Sequence, residues 1–338
     1  MNLRKLQVIA FTLASGAFLL ALAARSQAPS TNSQPLSEPP PYWAYAVNPP
    51  APPPDAPAKP EDTAPLHVPG SKLTFTSAQI HDLFHAVDWH PSAHPTMPAV
   101  VAHGRANEMY ACAYCHLPNG LGRPENSSLA GLPAAYIIQQ LADFKSGARK
   151  SSDPDFKPAF NMVSVGAKAT DPEVQAAAEY FSAMKPRPWI RVVESKFVPK
   201  THVAGWMLVV STPHETESIG DRIIETPENL ERTELRDDTS GFIAYVPPGS
   251  LKRGKTLVTT GANGKTIICS TCHGPNLRGL KNVPALAGRS PSYIVRQLYD
   301  MQTGARAGVN IPQMKPVVAN LSLFDLIDVA AYTSSLEP

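Results

Sequence analysis

The chain reads CAYCH at residues 112–116 and CSTCH at residues 269–273. These two pentapeptides contain all four cysteines of the 338-residue sequence. In both of them a histidine directly follows the second cysteine. Because every cysteine belongs to one of two copies of a single pattern, the pattern indicates one chemical task that is performed at two places in the chain.

Paired cysteines have other common uses, which the sequence does not favour. Disulfides form readily outside the cytoplasm, but two cysteines three residues apart on one helix rarely bond to each other. Zinc ribbons separate their CxxC pairs by about 15–20 residues, whereas 153 residues lie between Cys115 and Cys269. A thioredoxin-like motif needs a βαβ pattern around it, which the sequence lacks. None of these uses explains His116 and His273.

Covalent haem attachment explains the whole pattern. Two thiols add to the two vinyl groups of the porphyrin, and the next residue directs its imidazole at the iron. The residues that we predict to attach two haem c groups are Cys112, Cys115, Cys269 and Cys272. We predict His116 and His273 as axial ligands of the two irons.

An internal repeat surrounds the two motifs. Residues 115–149 align without a gap to residues 272–306, at an offset of 157. The recurring positions include, by their numbers in the first copy, Pro118, Asn119, Leu129, Ala130, Gly131, Tyr136, Ile137, Gln140, Leu141, Asp143, Gly147, Ala148 and Arg149. The second copy then lacks five residues, and the match resumes at an offset of 152. The sequence therefore contains two copies of one haem-binding unit.

The same helices are predicted in both copies. Pro133 opens a helix in the first copy and Pro291, after a Ser290 cap, opens one in the second. Apolar residues recur at helical spacing after both prolines, and a glycine follows at each helix end. A last helix should begin at Thr170 in the first copy and at Ser322 in the second.

Each iron needs a second axial ligand, and methionine is the residue that we predict. A thioether stabilises ferrous iron and thereby raises the reduction potential. Met162 and Met314 occupy equivalent positions, and we expect both in a loop just before the final helix, where the chain returns over the haem. Core packing is the alternative role for them, and it is the role that we assign to Met184 and Met301.

Histidines upstream of the first motif leave two further alternatives open. They are His67, His81, His85, His90, His94 and His103. One of them could replace Met162 on the first iron. Thr76 and Gln79 are expected to cap a helix in this region. On that helix His81 and His85 would lie four residues apart, a spacing that can hold a metal ion, although ordinary surface histidines are the simpler interpretation.

With these residues in place, the chain resembles the class I cytochromes c, and specifically their tandem dihaem c-four type. The stretches that carry the resemblance are CSTCHGPN (269–276), VPALAGRSPSYIVRQLYDMQTGAR (283–306) and MKPVVANLSLFDLIDVAAYTSSL (314–336). The resemblance covers residues 100–187 and 246–338. It implies a mainly α fold with two tandem class I cytochrome c haem domains.

The resemblance also implies one hydrogen bond per haem and a cellular role. In that family a proline carbonyl before the LAG stretch accepts the proton of the ligating imidazole. Pro284 fits this position in the second copy, whereas the first copy has Ser127 there. The role implied is electron transfer in the periplasm, between membrane-bound oxidoreductases.

The N-terminal segments lie outside the resemblance. Residues 1–28 have a short basic start, an apolar run and small residues, as a secretory signal does, although the run is nearly long enough for an uncleaved membrane anchor. Residues 29–70 contain fourteen prolines and predict a semi-rigid linker that extends about 3 Å per residue. Within it we expect Tyr42, Trp43 and Tyr45 to pack back on the protein or to contact a partner.

A second departure from the family separates the two copies. Residues 188–245 contain the stretches WIRVVES, GWMLVVS and GFIAYVP, which predict short strands. We expect a small, partly β insertion over the seam between the haem domains. The predicted domains are therefore residues 71–187 (the first unit), residues 188–245 (the insertion) and residues 246–338 (the second unit).

Charge is distributed unevenly over these parts. Hydrophobic residues make up 43% of the chain and charged residues 17%, with a net charge of +2. The insertion carries six basic and ten acidic residues, and the second unit carries ten basic and four acidic residues. The basic residues nearest the second motif are Lys252, Arg253, Lys255, Lys265, Arg278 and Lys281. They predict a basic patch for an acidic partner, unless the acidic run from Glu215 to Asp238 covers it.

Three classes of function remain. The sequence favours a periplasmic electron carrier without catalysis, since two six-coordinate irons leave no open position for a substrate. The expected donor is a dehydrogenase or a quinol-oxidising complex, and the expected acceptor is an oxidase or a small carrier. The alternatives are the electron-accepting subunit of a periplasmic dehydrogenase and a dihaem peroxidase. No nucleic-acid partner is predicted, and peripheral membrane association is left open.

Overall fold

The structure is a computed structural model that describes residues 39–50 and 63–338. The predicted export signal at residues 1–28 lies outside the described residues, and so does most of the proline-rich linker. The predictions made for those segments stay predictions. In the described part of the chain, no helix is both long enough and apolar enough to cross a bilayer.

The first unit is helical. Its α-helices are α1 (Ser77–Ile80), α2 (Ala99–Ala102), α3 (Cys112–His116), α4 (Ala134–Lys145), α5 (Lys157–Lys168) and α6 (Asp171–Ala183). Helix α4 begins directly after Pro133, and Gly147 follows its end with a φ of +73°. Helix α6 begins at Thr170, whose backbone N–H donates to the Glu173 carboxylate over 2.8 Å in a capping box. Both helix starts agree with the predictions.

The expected loop position of Met162 is wrong. Met162 lies inside α5, a helix of 12 residues. Pro158 stands in the first turn of this helix, where a proline favours helix formation because its φ is already fixed near the helical value. The sequence signal for a helix start was therefore present in the segment that had been assigned to a loop.

The expected placement of His81 and His85 on one helix is also wrong. Thr76 and Gln79 do form the predicted capping box, but α1 ends at Ile80 after a single turn. His81 is therefore the C-cap, and His85 lies beyond the helix. Its Nδ1 lies 2.7 Å from the Asp82 carboxylate instead.

The insertion consists mostly of short strands. They are β1 (Ile190–Glu194), β2 (Phe197–Pro199), β3 (Thr201–Ala204), β4 (Met207–Val210), β5 (Thr216–Ser218), β6 (Ile224–Pro227) and β7 (Phe242–Val246), with one helix, α7 (Leu230–Glu234). The three stretches predicted as strands form β1, β4 and β7. Strand β7 lies between β1 and β6, parallel to β1 and antiparallel to β6. Strands β2 and β5 form one antiparallel pair, and β3 and β4 form another.

The second unit repeats the helical plan with a longer first helix. Its α-helices are α8 (Ser250–Thr260), α9 (Ser270–His273), α10 (Pro291–Thr303), α11 (Lys315–Val318) and α12 (Leu323–Ser334). The 3₁₀ turn Pro275–Leu277 follows α9, and a second 3₁₀ turn, Ile311–Gln313, directly precedes Met314. The Ser290 hydroxyl accepts the Tyr293 N–H at the start of α10, and Gly304 ends that helix with a φ of +82°. Helix α12 packs against α8 and α10.

Two large cores hold these elements together. The first core belongs mainly to the first unit and includes Val101, Ala130, Ile137, Ala178 and Phe181. The second core joins α8, α10 and α12 to buried residues of the insertion and of residues 39–50, among them Tyr45, Val198 and Ile224. The insertion is thus packed against the second unit by apolar burial.

The segment at residues 39–50 is part of the interior, so the prediction of an extended linker is wrong for these residues, because their apolar side chains join the second core. Trp43 and Tyr45 are 4% and 1% exposed, whereas Tyr42 is 56% exposed. The Tyr45 hydroxyl donates to Asp300 over 2.7 Å, and Arg296 donates to the Ala44 carbonyl over 2.6 Å. Of the two roles predicted for these aromatic residues, the structure supports packing within the protein for Trp43 and Tyr45.

Candidate haem sites

The first CxxCH motif forms helix α3 at the wall of a cavity. The cavity has a volume of about 390 Å³, and Cys112, Cys115, His116 and Met162 line it. All four cysteines of the chain are free thiols. Burial and the neighbouring Cys115 raise the pKa of the Cys112 thiol to about 12.

The imidazole of His116 is held by a backbone carbonyl. Its Nδ1 lies 2.8 Å from the Ser127 carbonyl oxygen, so the hydrogen bond expected at this position forms although serine replaces proline. Burial lowers the pKa of His116 to about 4, and the ring is therefore neutral at physiological pH. A neutral imidazole that donates from Nδ1 keeps the Nε2 lone pair free for a metal.

Two methionines reach the first cavity. Met162 lines it from α5, and Met109, which is buried three residues before Cys112, lines it as well. The sequence reasoning missed Met109, because the repeat places Thr266 at the equivalent position in the second copy. Met184 is buried in the first core, which is the structural role predicted for it.

The second CxxCH motif repeats the same histidine geometry. His273 ends helix α9, and its Nδ1 lies 2.8 Å from the Pro284 carbonyl oxygen, as the resemblance implies. Burial lowers the pKa of His273 from its usual value. The Nδ1 atom of each histidine is therefore within hydrogen-bond distance of the backbone carbonyl eleven residues later in the chain.

Met314 is placed near the second motif by its neighbours. It is half-buried between the 3₁₀ turn and α11, and it packs on a small cluster with Met301, Ile311 and Val318. The Thr266 hydroxyl, three residues before Cys269, donates to the carbonyl of Val317 over 2.7 Å. This bond fastens the segment that contains Met314 to the segment that leads into the motif.

Two arginines of the repeated GAR sequence meet between the units. Arg149 and Arg306 pair as an antiparallel bridge. Each guanidinium donates to the side-chain oxygens of both Gln140 and Gln297. The two bonds from Arg149 are 2.8 Å long. Arg306 donates to Gln140 over 2.8 Å and to Gln297 over 3.0 Å. The residues that recur between the copies therefore form a buried seam in which the units contact each other symmetrically.

The seam contains positive charge without an ion-pair partner. Arg149 and Arg306 are buried, and within the described residues neither forms a salt bridge. The buried Nε of Arg306 has no hydrogen-bond acceptor. Although burial raises the pKa of Tyr293, Arg149 and Arg306 lower it overall, to about 8. Unpaired buried cations are costly, and the propionates of a haem are anions of the kind that such a site fits.

Apolar side chains surround the second motif. Ile267 and Ile268 directly precede Cys269, and both are exposed. Leu280 is exposed too. It lies beside Gly274, the residue directly after the motif, since a Cβ atom added to Gly274 would be 3.4 Å from the Leu280 Cβ. Exposed apolar residues beside an attachment site are what the face of a porphyrin would cover. The residues at both motifs thus fit a covalently bound haem.

The upstream histidines lie away from the first cavity. None of them is among the residues that line it, so the structure does not support a histidine in place of Met162. His90 lies with Asp237 and Asp238 in a group whose ligand atoms are within 4.8 Å of one another. However, Asp237 already accepts hydrogen bonds from Arg232 and Thr239, and an adjacent guanidinium disfavours a cation.

Comparison with known proteins identifies the family of the chain. The family model for cytochrome c matches residues 101–185. Over 70 residues the chain is 39% identical to cytochrome c-554(548) of Halomonas halodenitrificans, a match that covers 20% of this chain and 84% of that protein. The chain belongs to the cytochrome c family.

This cytochrome c also resembles relatives that are longer than cytochrome c-554(548). The "Thiosulfate dehydrogenase electron acceptor" of Thiomonas intermedia is 26% identical over 220 residues, which is 64% of this chain and 73% of that protein. Cytochrome c4 of Azotobacter vinelandii is 34% identical over 82 residues, which is 22% of this chain and 39% of that protein. The resemblance to the dihaem c-four type is confirmed. The cytochrome is a mainly helical electron-transfer protein with covalently bound haem c.

Solved structures of related proteins align more loosely. Cytochrome c4 of Acidithiobacillus ferrooxidans has a TM-score of 0.44 at 22% identity, over 67% of this chain and 98% of that chain. Thiosulfate dehydrogenase TsdBA of Marichromatium purpuratum has a TM-score of 0.46 at 23% identity, over 69% of this chain and 38% of that chain. At this distance neither likeness adds to the family assignment.

Proposed function

We propose that this cytochrome is an exported, periplasmic dihaem protein that transfers single electrons and performs no bond chemistry. The observation that carries the proposal is the repeated histidine geometry. His116 and His273 each follow a cysteine pair, and each places Nδ1 2.8 Å from a backbone carbonyl. Two imidazoles that are oriented by the same hydrogen bond favour two haems rather than one.

Each residue of the two sites has a proposed role. Cys112 with Cys115, and Cys269 with Cys272, form the thioether bonds. His116 and His273 are the proximal ligands, and the carbonyls of Ser127 and Pro284 fix the orientation of their rings and increase their basicity. Met162 and Met314 are the proposed sixth ligands. With both axial positions filled, each haem would exchange electrons without binding a substrate.

The choice between two electron-transfer roles depends on the partner. A free carrier between respiratory oxidoreductases is the leading role. The second candidate is the electron-accepting partner of a periplasmic dehydrogenase, and the "Thiosulfate dehydrogenase electron acceptor" of Thiomonas intermedia, at 26% identity, favours it. A large catalytic subunit that copurifies with the native cytochrome would select the second role.

The haem count tests the proposal. Denaturing mass spectrometry of the mature protein should find the polypeptide plus two haem masses. The Cys269→Ala/Cys272→Ala variant should retain one haem mass, and so should Cys112→Ala/Cys115→Ala if it folds. A mature wild-type protein with one covalent haem, or with none, would refute the proposed dihaem function.

A further inference from the structure

The first attachment helix is covered by chain from outside the repeat. Ala113 and Tyr114, the two residues between its cysteines, are 1% and 8% exposed. Arg236 of the insertion places its guanidinium carbon 3.5 Å from the centre of the Tyr114 ring and donates to the Tyr114 carbonyl over 2.7 Å. We call residues 229–241, which begin at the N-cap of α7, the cap segment.

The cap segment is fastened to the first unit on both sides of Arg236. The Leu235 carbonyl accepts the indole N–H of Trp89 over 2.8 Å. The Asp238 carbonyl accepts from Asn119, three residues after the first motif, and from Arg187 over 2.6 Å. These bonds hold the cap segment in place over the first motif.

The second attachment helix lies open by comparison. Ser270 and Thr271, the two residues between its cysteines, are both exposed. The hydrogen bonds that the structure gives to this helix are all with residues of the second unit, such as Thr271 N–H to the Ile268 carbonyl over 3.2 Å and His273 Nδ1 to the Pro284 carbonyl over 2.8 Å. The two motifs therefore have the same internal geometry but opposite access from solvent.

Basic residues flank the open helix. The Cys269 N–H donates to the Val258 carbonyl over 3.1 Å, so the end of α8 lies beside the motif. Lys255 precedes Val258 by about one turn of this helix. The Gly279 N–H donates to the His273 carbonyl over 2.8 Å, which folds the loop that contains Lys281 back onto the motif. Both lysines are exposed, and within the described residues neither forms an ion pair.

The acidic insertion does not cover these lysines. Within the described residues, none of its acidic side chains pairs with Lys255 or Lys281. Glu194 accepts the Leu251 N–H at the start of α8 over 2.8 Å. The other contacts of its acidic side chains are with the insertion itself, with His90 or with α10, as in Glu215–Lys200, Glu217–Arg222, Glu228–Arg191, Asp237–Arg232, Asp238–His90 and Glu225–Ser292. The cap segment itself has four acidic and two basic residues. Charge thus repels an acidic protein from the first motif and attracts it to the second.

We propose that an acidic redox protein docks on the face formed by Ser270 and Thr271 with Lys255 and Lys281, and that the cap segment prevents docking at the first motif. The proposal rests on the dihaem function proposed above. One electron passes between the partner and the second unit, with no transfer of atoms. The first unit exchanges electrons with the second across the arginine seam.

Stopped-flow reduction by flavodoxin hydroquinone, a small acidic donor, tests the docking face. The Lys255→Glu/Lys281→Glu variant should lower the second-order rate constant about tenfold or more at low ionic strength, and salt should lower the wild-type rate. The matched control is Lys145→Glu/Lys185→Glu, which makes the same charge change on exposed lysines of the first unit. Its rate should stay within about twofold of wild type.

An equal loss in both variants, or no loss in either, would overturn the proposal. Mass spectrometry of each variant is done first. A wild-type protein without two haems refutes the dihaem function, whereas two haems with the wrong rate pattern refute only the docking face.

Carbodiimide cross-linking gives a readout that is independent of electron transfer. This reagent joins lysine amines to carboxylates in contact, and peptide mapping then locates them. Cross-links to flavodoxin should concentrate at Lys252, Lys255, Lys281 and Lys315, and Lys145 and Lys185 should remain unmodified. Cross-links mainly in the first unit would overturn the proposal, and so would cross-links from Lys255 or Lys281 to acidic residues of a second copy of this chain.

Discussion

The two haem units share a sequence repeat but differ in what surrounds it. In the first unit, Tyr114 lies under Arg236 of the insertion, and the cavity is enclosed by α5 and by the segment that leads into the motif. In the second unit, Thr271 and Cys272 are exposed. The internal geometry of each site is therefore set by the repeat, whereas access to each site is set by chain outside it.

The segments that contain Met162 and Met314 also differ between the two units. Met162 lies in a helix of 12 residues, and Met314 lies between a 3₁₀ turn and a helix of 4 residues. The five residues that the second copy lacks fall between the haem motif and this segment. In the first unit the longer segment forms a wall of the cavity, and the shorter one in the second unit continues through the single turn of α11 to α12.

The largest expected effect separates the two methionines. Met314→Ala should remove about half of the sulfur-to-iron charge-transfer band of the oxidised protein and lower one of its two potentials, because the second iron loses its thioether. Met162→Ala should remove the other half only if Met109 does not take its place, since Met109 lines the same cavity. Optical spectra and redox titration of the two variants measure this difference.

Met109→Leu and the double variant Met109→Leu/Met162→Ala are the matched controls. A band of full intensity in Met162→Ala that falls to about half in the double variant would identify Met109 as a replacement ligand. A band that keeps its full intensity in the double variant would contradict thioether ligation at the first iron, and the upstream histidines would then need to be tested.

A smaller effect should appear in the pH dependence of the first potential. Tyr293 lines the first cavity, and its pKa of about 8 means that it becomes an anion as the pH rises through that value. A negative charge stabilises ferric iron, so the potential of the first haem should fall above pH 8, by at most about 59 mV per pH unit. Redox titration of the mature protein between pH 6 and 10 would measure this fall. A fall that begins well above pH 8 would show that haem propionates neutralise Arg149 and Arg306 and so raise the pKa of Tyr293.

Tyr293→Phe should flatten that dependence, because the ionising hydroxyl is gone. Tyr136→Phe removes the equivalent hydroxyl of the first copy, which accepts from Arg306 over 2.9 Å, and it controls for the loss of a hydrogen bond at the seam. If Tyr293→Phe keeps the wild-type slope, another group near the first haem is the one that ionises.

The sequence predicts the local geometry of each site better than the contacts between distant parts of the chain. The cysteines, the histidines and the helix starts follow from short patterns whose chemistry is local, and Pro284 follows from the resemblance to a family. The pairing of Arg149 with Arg306 was visible only as a recurrence, because nothing in a single sequence shows that two repeats contact each other. The position of Arg236 over Tyr114 joins residues 122 positions apart, and no local pattern indicates it.

The smallest expected effect compares the helix caps of the two units. Thr170 and Ser322 both form capping boxes, with Glu173 and Asp325 respectively, so replacement of either by alanine should cost about 1 kcal/mol of unfolding free energy. Urea denaturation followed by circular dichroism would measure both losses. Since α6 and α12 belong to different cores, the shape of the transition matters as well. If the units unfold together, each variant shifts one common midpoint. If Ser322→Ala shifts only the later or the earlier part of a two-step curve, the second unit unfolds on its own, and the insertion does not couple it to the first.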